Sequence, residues 1–244
     1  MPEVLVLGST GTTGGRVLRQ LRRLGIPARA ATRRPTRPGQ VRFDWADRAT
    51  HAEALDRVTA VYLVAPIGVA EPRPLVEPFL TAAPAARVVL LSSSAVDDTT
   101  PGLGELHGLV RRPPGWAILR PSWFMQNFTG EHVLAQQARR GEIVTATGEA
   151  RVGFVDATDI AAVAVHALTD AEPHSTEHVL TGPAASATPK PRRSWRNGSA
   201  IPSPTARSAR PNSRRGTPKP ASPRSSRKCW RRWTTTSGRA PRTA

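Results

Sequence analysis

The sequence predicts an α/β fold, a doubly wound parallel sheet with helices on both faces. Three observations carry this. An apolar strand near the N-terminus runs into glycines spaced three apart and then into an amphipathic segment. Short runs rich in Val, Leu and Ala alternate with helical stretches along the chain. Most of these runs are apolar throughout rather than alternating, as strands covered on both faces must be.

The first strand is Val4-Leu5-Val6-Leu7. Gly8, Gly11 and Gly14 follow, with Thr10, Thr12 and Thr13 between them. The next segment places Val17, Leu18, Leu21 and Leu24 at helical spacing. A strand, a glycine-rich turn and a helix N-terminus make a dinucleotide-phosphate site. The glycines let backbone approach the pyrophosphate, and the helix offers free N–H groups at its positive end. This is a Rossmann-like start, against the alternative of an ordinary tight βα turn.

The remaining elements follow in order. Strands are predicted at 29–35, 41–44, 60–66, 87–92, 116–121 and 178–181, with a short extended piece at 153–156. Helices are predicted at about 50–57, 75–83, 103–111 and 160–168, the last capped by Asp156 or Asp159. Residues 1–185 thus read as one Rossmann-like domain. After Ala185 the pattern stops.

Charge divides the chain at the same place. The formal net charge is +17. All 18 acidic residues lie between Glu3 and Glu177, whereas residues 187–244 hold 16 of the 35 basic residues and no acid. The front part is therefore nearly neutral, and the excess charge belongs to a Pro/Ser/Arg-rich tail. As written, residues 186–244 are expected to be disordered. A frameshift explains the tail better. Read one nucleotide late, each first base becomes a middle base, the base that sets polarity. Arg227–Arg239 then becomes A-E-V-L-A-A-L-D-D-D-I-R-A, free only in first bases, which is an amphipathic helix. Nucleic-acid binding through a true basic tail is the rival explanation. Cys229 is the one cysteine, so an intrachain disulfide and a Cys-rich zinc site are both excluded. No signal-peptide pattern or membrane-length apolar run is evident, and a cytoplasmic setting is expected.

The chain resembles the NmrA-like, atypical short-chain dehydrogenase/reductase family, with bacterial relatives of the ergot-alkaloid-type reductases nearest. The matching pieces are VLVLGSTGTTGG (4–15), RFDW (42–45), VYLV (61–64), VVLLSSSAV (88–96), LRPSWFMQNF (119–128), FVDATDIA (154–161) and LTGP (180–183). The resemblance spans about residues 3–185. It implies a nicotinamide dinucleotide cofactor, a small-molecule substrate, no metal and hydride transfer. Some members are non-catalytic NADP(H) sensors, which is the alternative function. In the family, a helical C-terminal part closes the substrate pocket.

The second strand runs into Thr32-Arg33-Arg34, with no acid for the ribose hydroxyls. A guanidinium there can take a 2′-phosphate, so NADP is favoured over NAD. The resemblance singles out Arg33; two solvated loop arginines are the alternative. The resemblance puts Asp44 near the adenine, whereas by itself Asp44 reads equally as a turn residue. Val64, Ala65 and Pro66 end a strand at the carboxyl edge, where open α/β sheets bind ligands. Ser92 and Ser93 follow the next strand. With Ser94 they form a run where the standard enzymes keep a serine that works with Tyr-x-x-x-Lys, yet Tyr62 is the single tyrosine and no lysine precedes Lys190; Ser92 is assigned to the cofactor site and Ser93 to the substrate pocket. The serines could equally satisfy strand-end backbone. Trp123, Phe124, Met125, Asn127 and Phe128 read as a substrate pocket, or as plain core. The His174-Ser-Thr-Glu-His178 match to a zinc-protease pattern is rejected, because no helix carries it and no third ligand is apparent.

Overall fold

The computed structural model describes residues 3–141 and 151–187. Its main sheet contains β1 (Glu3–Val6), β2 (Ala28–Thr32), β3 (Gln40–Arg42), β4 (Val58–Val64), β5 (Arg87–Leu91), β6 (Trp116–Pro121) and β8 (Thr176–Leu180), in the order β3-β2-β1-β4-β5-β6-β8. Every pairing in it is parallel. The crossovers are α1 (Gly14–Arg23), α2 (Ala49–Leu55), α3 (Arg73–Thr81), α4 (Glu105–Val110) and, before β8, α6 (Ala157–Thr169).

Side chains alternate along each strand, and each set has its own helices. Val4, Val6, Ala60, Tyr62, Val89, Ala117 and Leu119 join Val17 and Leu21 of α1 and Ile160, Ala161 and Ala164 of α6 in one core. Leu5, Leu7, Val61, Leu63, Val88, Leu90 and Ile118 face Ala54, Val76, Phe79, Leu106 and Val110 of α2, α3 and α4 in the other. Each fully buried Leu, Ile or Val contributes about 1.5–3 kcal/mol. The doubly wound reading therefore holds in both faces and in strand direction.

Element ends differ from expectation for local reasons. β2 stops at Thr32, because the Gln40 side chain takes the amides of Thr36 and Arg37 and turns the chain. β4 stops at Val64, ahead of Pro66, which has no N–H to extend a ladder. α6 starts at Ala157, with Asp156 as its cap, accepting from Thr158 N at 2.6 Å. The extended piece expected at 153–156 is displaced toward the N-terminus as β7 (Arg151–Gly153), with Val155 in an isolated bridge to Phe124; three short pieces were not anticipated, a 3-10 turn (Met125–Phe128), α5 (Val133–Arg139) and β9 (Ala185–Ala187), which pairs with β7 in an antiparallel ribbon. The ribbon carries the described fold past residue 185. The basic tail and its reading frame lie outside the described residues.

Candidate cofactor and substrate site

Strand order reverses between β1 and β4, and loops from the strands' carboxyl ends gather there, the position where open α/β sheets hold ligands. The glycine loop makes the first wall. Gly8 has φ +62°, and Val64 crowds the position a Cβ would take there, 3.2 Å away. Gly14 opens α1 hard against β1: an added Cβ would lie 2.7 Å from the Gly8 carbonyl carbon and 3.0 Å from Leu7 O. Gly11 is exposed, has an ordinary φ and would bring a Cβ only to 3.2 Å from Gly8 O. One glycine thus serves helix–strand packing, and another leaves the outer surface of the loop bare.

The backbone of this loop is free to bind an anion. Among the described residues the amides of Ser9, Thr10, Thr12 and Thr13 donate no hydrogen bond. Thr13 gives α1 no side-chain cap, and no acid stands in the first turn. The helix therefore presents an uncapped positive end. Buried Ser9 donates its hydroxyl to Ala31 O at 2.8 Å and fixes the loop to β2, while Thr10 and Thr12 are exposed. These features fit a dinucleotide pyrophosphate.

Arg33 and Arg34 follow β2, both exposed, and neither pairs with a carboxylate among the described residues. Asp44 is half-buried and closes its own turn: its carboxylate accepts from Ala46 N at 3.0 Å, and its carbonyl lies 3.0 Å from His51 Nε2. Phe43, Trp45, His51 and Phe79 pack edge-on or stacked behind it, with ring centroids 4.9–6.1 Å apart. Val64, Ala65 and Pro66 are half-buried along the edge.

Val64 is in register with Leu91, so Ser92 stands at the same edge one strand over. Ser92 N donates to Leu119 O at 2.8 Å, and Ser93 Oγ accepts from Ala95 N at 3.2 Å. The Ser92 hydroxyl faces inward, with Oγ 2.8 Å from His107 Nε2. His107, on α4, is fully buried, and its Nδ1 lies 3.0 Å from Asp98 Oδ1. Arg111 grips both Asp98 oxygens, at 2.7 and 3.1 Å, and also reaches Glu177, which Arg120 holds at 2.9 Å. Arg111, first, and then His107 hold the Asp98 carboxyl below the usual carboxylate range. Tyr62 lies buried on β4, and burial, offset in part by the Thr13 hydroxyl, raises its ionisation above the ordinary phenol range. It cannot act as the standard tyrosine.

The aromatic segment after β6 divides. Phe124 bridges to Val155 and packs on the α1/α6 core. Trp123 and Phe128 meet Phe154 instead, at 6.3 and 5.2 Å. Met125 is exposed on the 3-10 turn and Asn127 is half-buried. Gln126, which sequence reasoning passed over, holds this turn against α6, with Nε2 donating to Asp156 Oδ2 at 3.0 Å and Oε1 accepting from Ala157 N at 2.9 Å. Asp98 and His107 were also missed; a lone His on a short helix and an Asp in a loop carry no spacing signal. His174 and His178 flank the start of β8, off any helix, with Nδ1 of one 2.9 Å from Nε2 of the other. Among the described residues no helix is long and apolar enough to cross a membrane.

A scan against protein-family models finds no match. The chain is 46% identical over 189 residues to the uncharacterized oxidoreductase YesF of Bacillus subtilis, covering 75% of this chain and 66% of that protein. It is 33% identical over 196 residues to agroclavine dehydrogenase of Claviceps fusiformis, covering 74% and 68%. The chain thus spans about two thirds of the length of these relatives. Among solved structures, the Escherichia coli NADPH-dependent quinone oxidoreductase QOR2, complexed with NADPH, superposes with a TM-score of 0.62 at 22% identity, over 75% of this chain and 71% of that one; at that identity the likeness is one of fold. With its glycine loop, its parallel sheet and the agroclavine dehydrogenase match, the chain belongs to the NmrA-like, atypical short-chain dehydrogenase/reductase family.

Proposed function

We propose that this chain is an oxidoreductase that binds NADP(H) along the β1/β4 edge and reduces a small organic acceptor. The observation that carries the reading is the uncapped N-terminus of α1 behind a bare glycine loop, with two arginines at the end of β2 that have no carboxylate partner among the described residues. The amides of Ser9, Thr10, Thr12 and Thr13 would hold the pyrophosphate, and Arg33 the 2′-phosphate through its guanidinium fork. Bound there, a reduced nicotinamide supplies a hydride. Val64 and Ala65 would limit its depth at the end of β4, and Trp123, Phe128 and Phe154 would offer an apolar wall to the acceptor. Both relatives carry a redox name, oxidoreductase and dehydrogenase, which supports this class of chemistry.

Titration of the full chain by fluorescence tests the cofactor. NADPH should bind more tightly than NADH. Arg33→Ala should weaken NADPH by about 1–3 kcal/mol, the scale of a charge-assisted contact, and leave NADH nearly unchanged. Equal affinities in the parent would refute the NADP assignment.

The same proposal takes the tail to be the product of a shifted frame. The relatives align with about three quarters of this chain, the share that residues 1–185 occupy. In the frame one nucleotide late, helices would return to the place where the family closes its pocket.

A further inference from the structure

We propose that Ser92, His107 and Asp98 form a proton relay that delivers the proton a neutral acceptor needs, in place of the absent Tyr-x-x-x-Lys pair. The inference rests on the oxidoreductase reading above. It follows from three positions. Asp98 has a side chain 56% exposed, His107 is 0% exposed, and Ser92 is 7% exposed at the sheet edge. A buried imidazole therefore links a surface carboxylate to a hydroxyl beside the proposed cofactor site.

The hydrogen-bond polarity is fixed by chemistry. An ionised Asp98 only accepts, so His107 Nδ1 carries a proton. In neutral His107, Nε2 then accepts from the Ser92 hydroxyl across 2.8 Å. In the imidazolium, Nε2–H donates to Ser92 Oγ instead, and the serine proton turns outward. A proton on His107 thus makes Ser92 Oγ an acceptor toward the imidazole and frees its own O–H to donate to the substrate. The charged groups around the imidazole are Asp98, Arg111 at the C-terminal end of α4, Glu177 on β8 and Arg120 on β6. Arg111 spans Asp98 and Glu177, so a guanidinium already holds the space between these carboxylates, and the cluster reads as a relay rather than a cation site.

The step balances. A hydride adds to the carbonyl carbon of the acceptor, and the C=O π pair moves to oxygen. That oxygen takes the Ser92 proton; the Ser92 O–H bond breaks and an acceptor O–H bond forms. Ser92 takes the Nε2 proton of His107, which is left neutral and keeps its Nδ1–H, still donating to Asp98. Water reprotonates the imidazole through Ser92 once product leaves. An acceptor that is already a cation needs only the hydride and has no use for the relay.

The test uses the full chain. First, imidazole 15N resonances of the cofactor-free protein report which nitrogen of His107 holds the proton. The expected result is Nδ1 in the parent and Nε2 in Asp98→Asn, whose amide can donate to Nδ1. A parent protonated at Nε2 alone overturns the relay. Second, NADPH-dependent reduction is compared for menadione, a neutral quinone, and N-methylacridinium, a cation. Ser92→Ala and His107→Gln should lose about a hundredfold or more on menadione and little on N-methylacridinium. Equal losses on both acceptors, or none on menadione, overturn it. Failure to bind NADPH, or inertness of an NADPH-bound parent to both acceptors, refutes the oxidoreductase reading instead, and the cofactor-free resonances still decide the relay.

Discussion

The two glycines at positions 11 and 14 should fail in different ways when given a side chain. Gly14→Ala places a methyl 2.7 Å from a backbone carbon and 3.0 Å from a backbone oxygen of β1 and its loop, and closer still to the Gly8 carbonyl oxygen. None of these atoms is the free end of a flexible side chain, so α1 must move off the sheet by several tenths of an ångström. Overpacking of this kind costs about 1–3 kcal/mol. Alanine's helix preference returns little of that, because residue 14 is the first of the helix. For a domain of this size the loss corresponds to a melting temperature lower by about 3–10 °C. Gly11→Val meets only a 3.2 Å contact with Gly8 O, on a backbone any residue can adopt. Its stability should fall by less than about 1 kcal/mol, yet its branched side chain covers the surface the pyrophosphate must reach. Thermal melts and NADPH titrations on both variants check the pair. A Gly14→Ala variant that melts with the parent, or a folded Gly11→Val that binds dinucleotide normally, would refute these roles for the two glycines.

Two further outcomes are expected. Burial, and then the neighbouring His174, lower the pKa of His178, so the folded state binds its proton less readily than the unfolded chain. Stability should hold above pH about 6.5 and decline as the pH falls from there toward the lowered folded value. With solvent screening the slope is below about 1 kcal/mol per pH unit, and His178→Gln should flatten it in a melt-versus-pH series. As for the frame, moving the reading one nucleotide late after residue 187 should raise the helical signal in circular dichroism and increase turnover; a chain fully active as written would remove the argument.

The fold was legible because its signals are repeated. The apolar runs of β1, β4, β5 and β6 need no tertiary information, and the glycine spacing marks the first crossover. What escaped lacks periodicity. α5 buries only Leu134 and Ala135, and the β7/β9 ribbon has three residues a side, too few to alternate visibly. In the site, residue types were readable and partners were not. Ser92 was picked out as a strand-end serine, but its link to His107, 15 residues on, depends on how α4 lies against β5. Asp44 stood open between ligand and turn, and the bond to Ala46 N gives its carboxylate a turn role. In the sequence the aromatics after β6 look like a single group. The structure separates Phe124, whose bridge to Val155 turns it toward α1 and α6, from Trp123 and Phe128 around Phe154.

The strand order also has a consequence for synthesis on the ribosome. β1 emerges first and occupies an inner position; β2 and β3 extend the sheet on one side, and β4, β5, β6 and β8 extend it in turn on the other. Each newly made strand finds its partner already exposed as a growing edge, and none has to insert between two finished neighbours. Assembly can therefore keep pace with translation, each addition closing a loop no longer than one crossover. Because every strand of the main sheet is encoded before Thr181, a change of message downstream would meet a nascent chain whose sheet-forming segments were already complete.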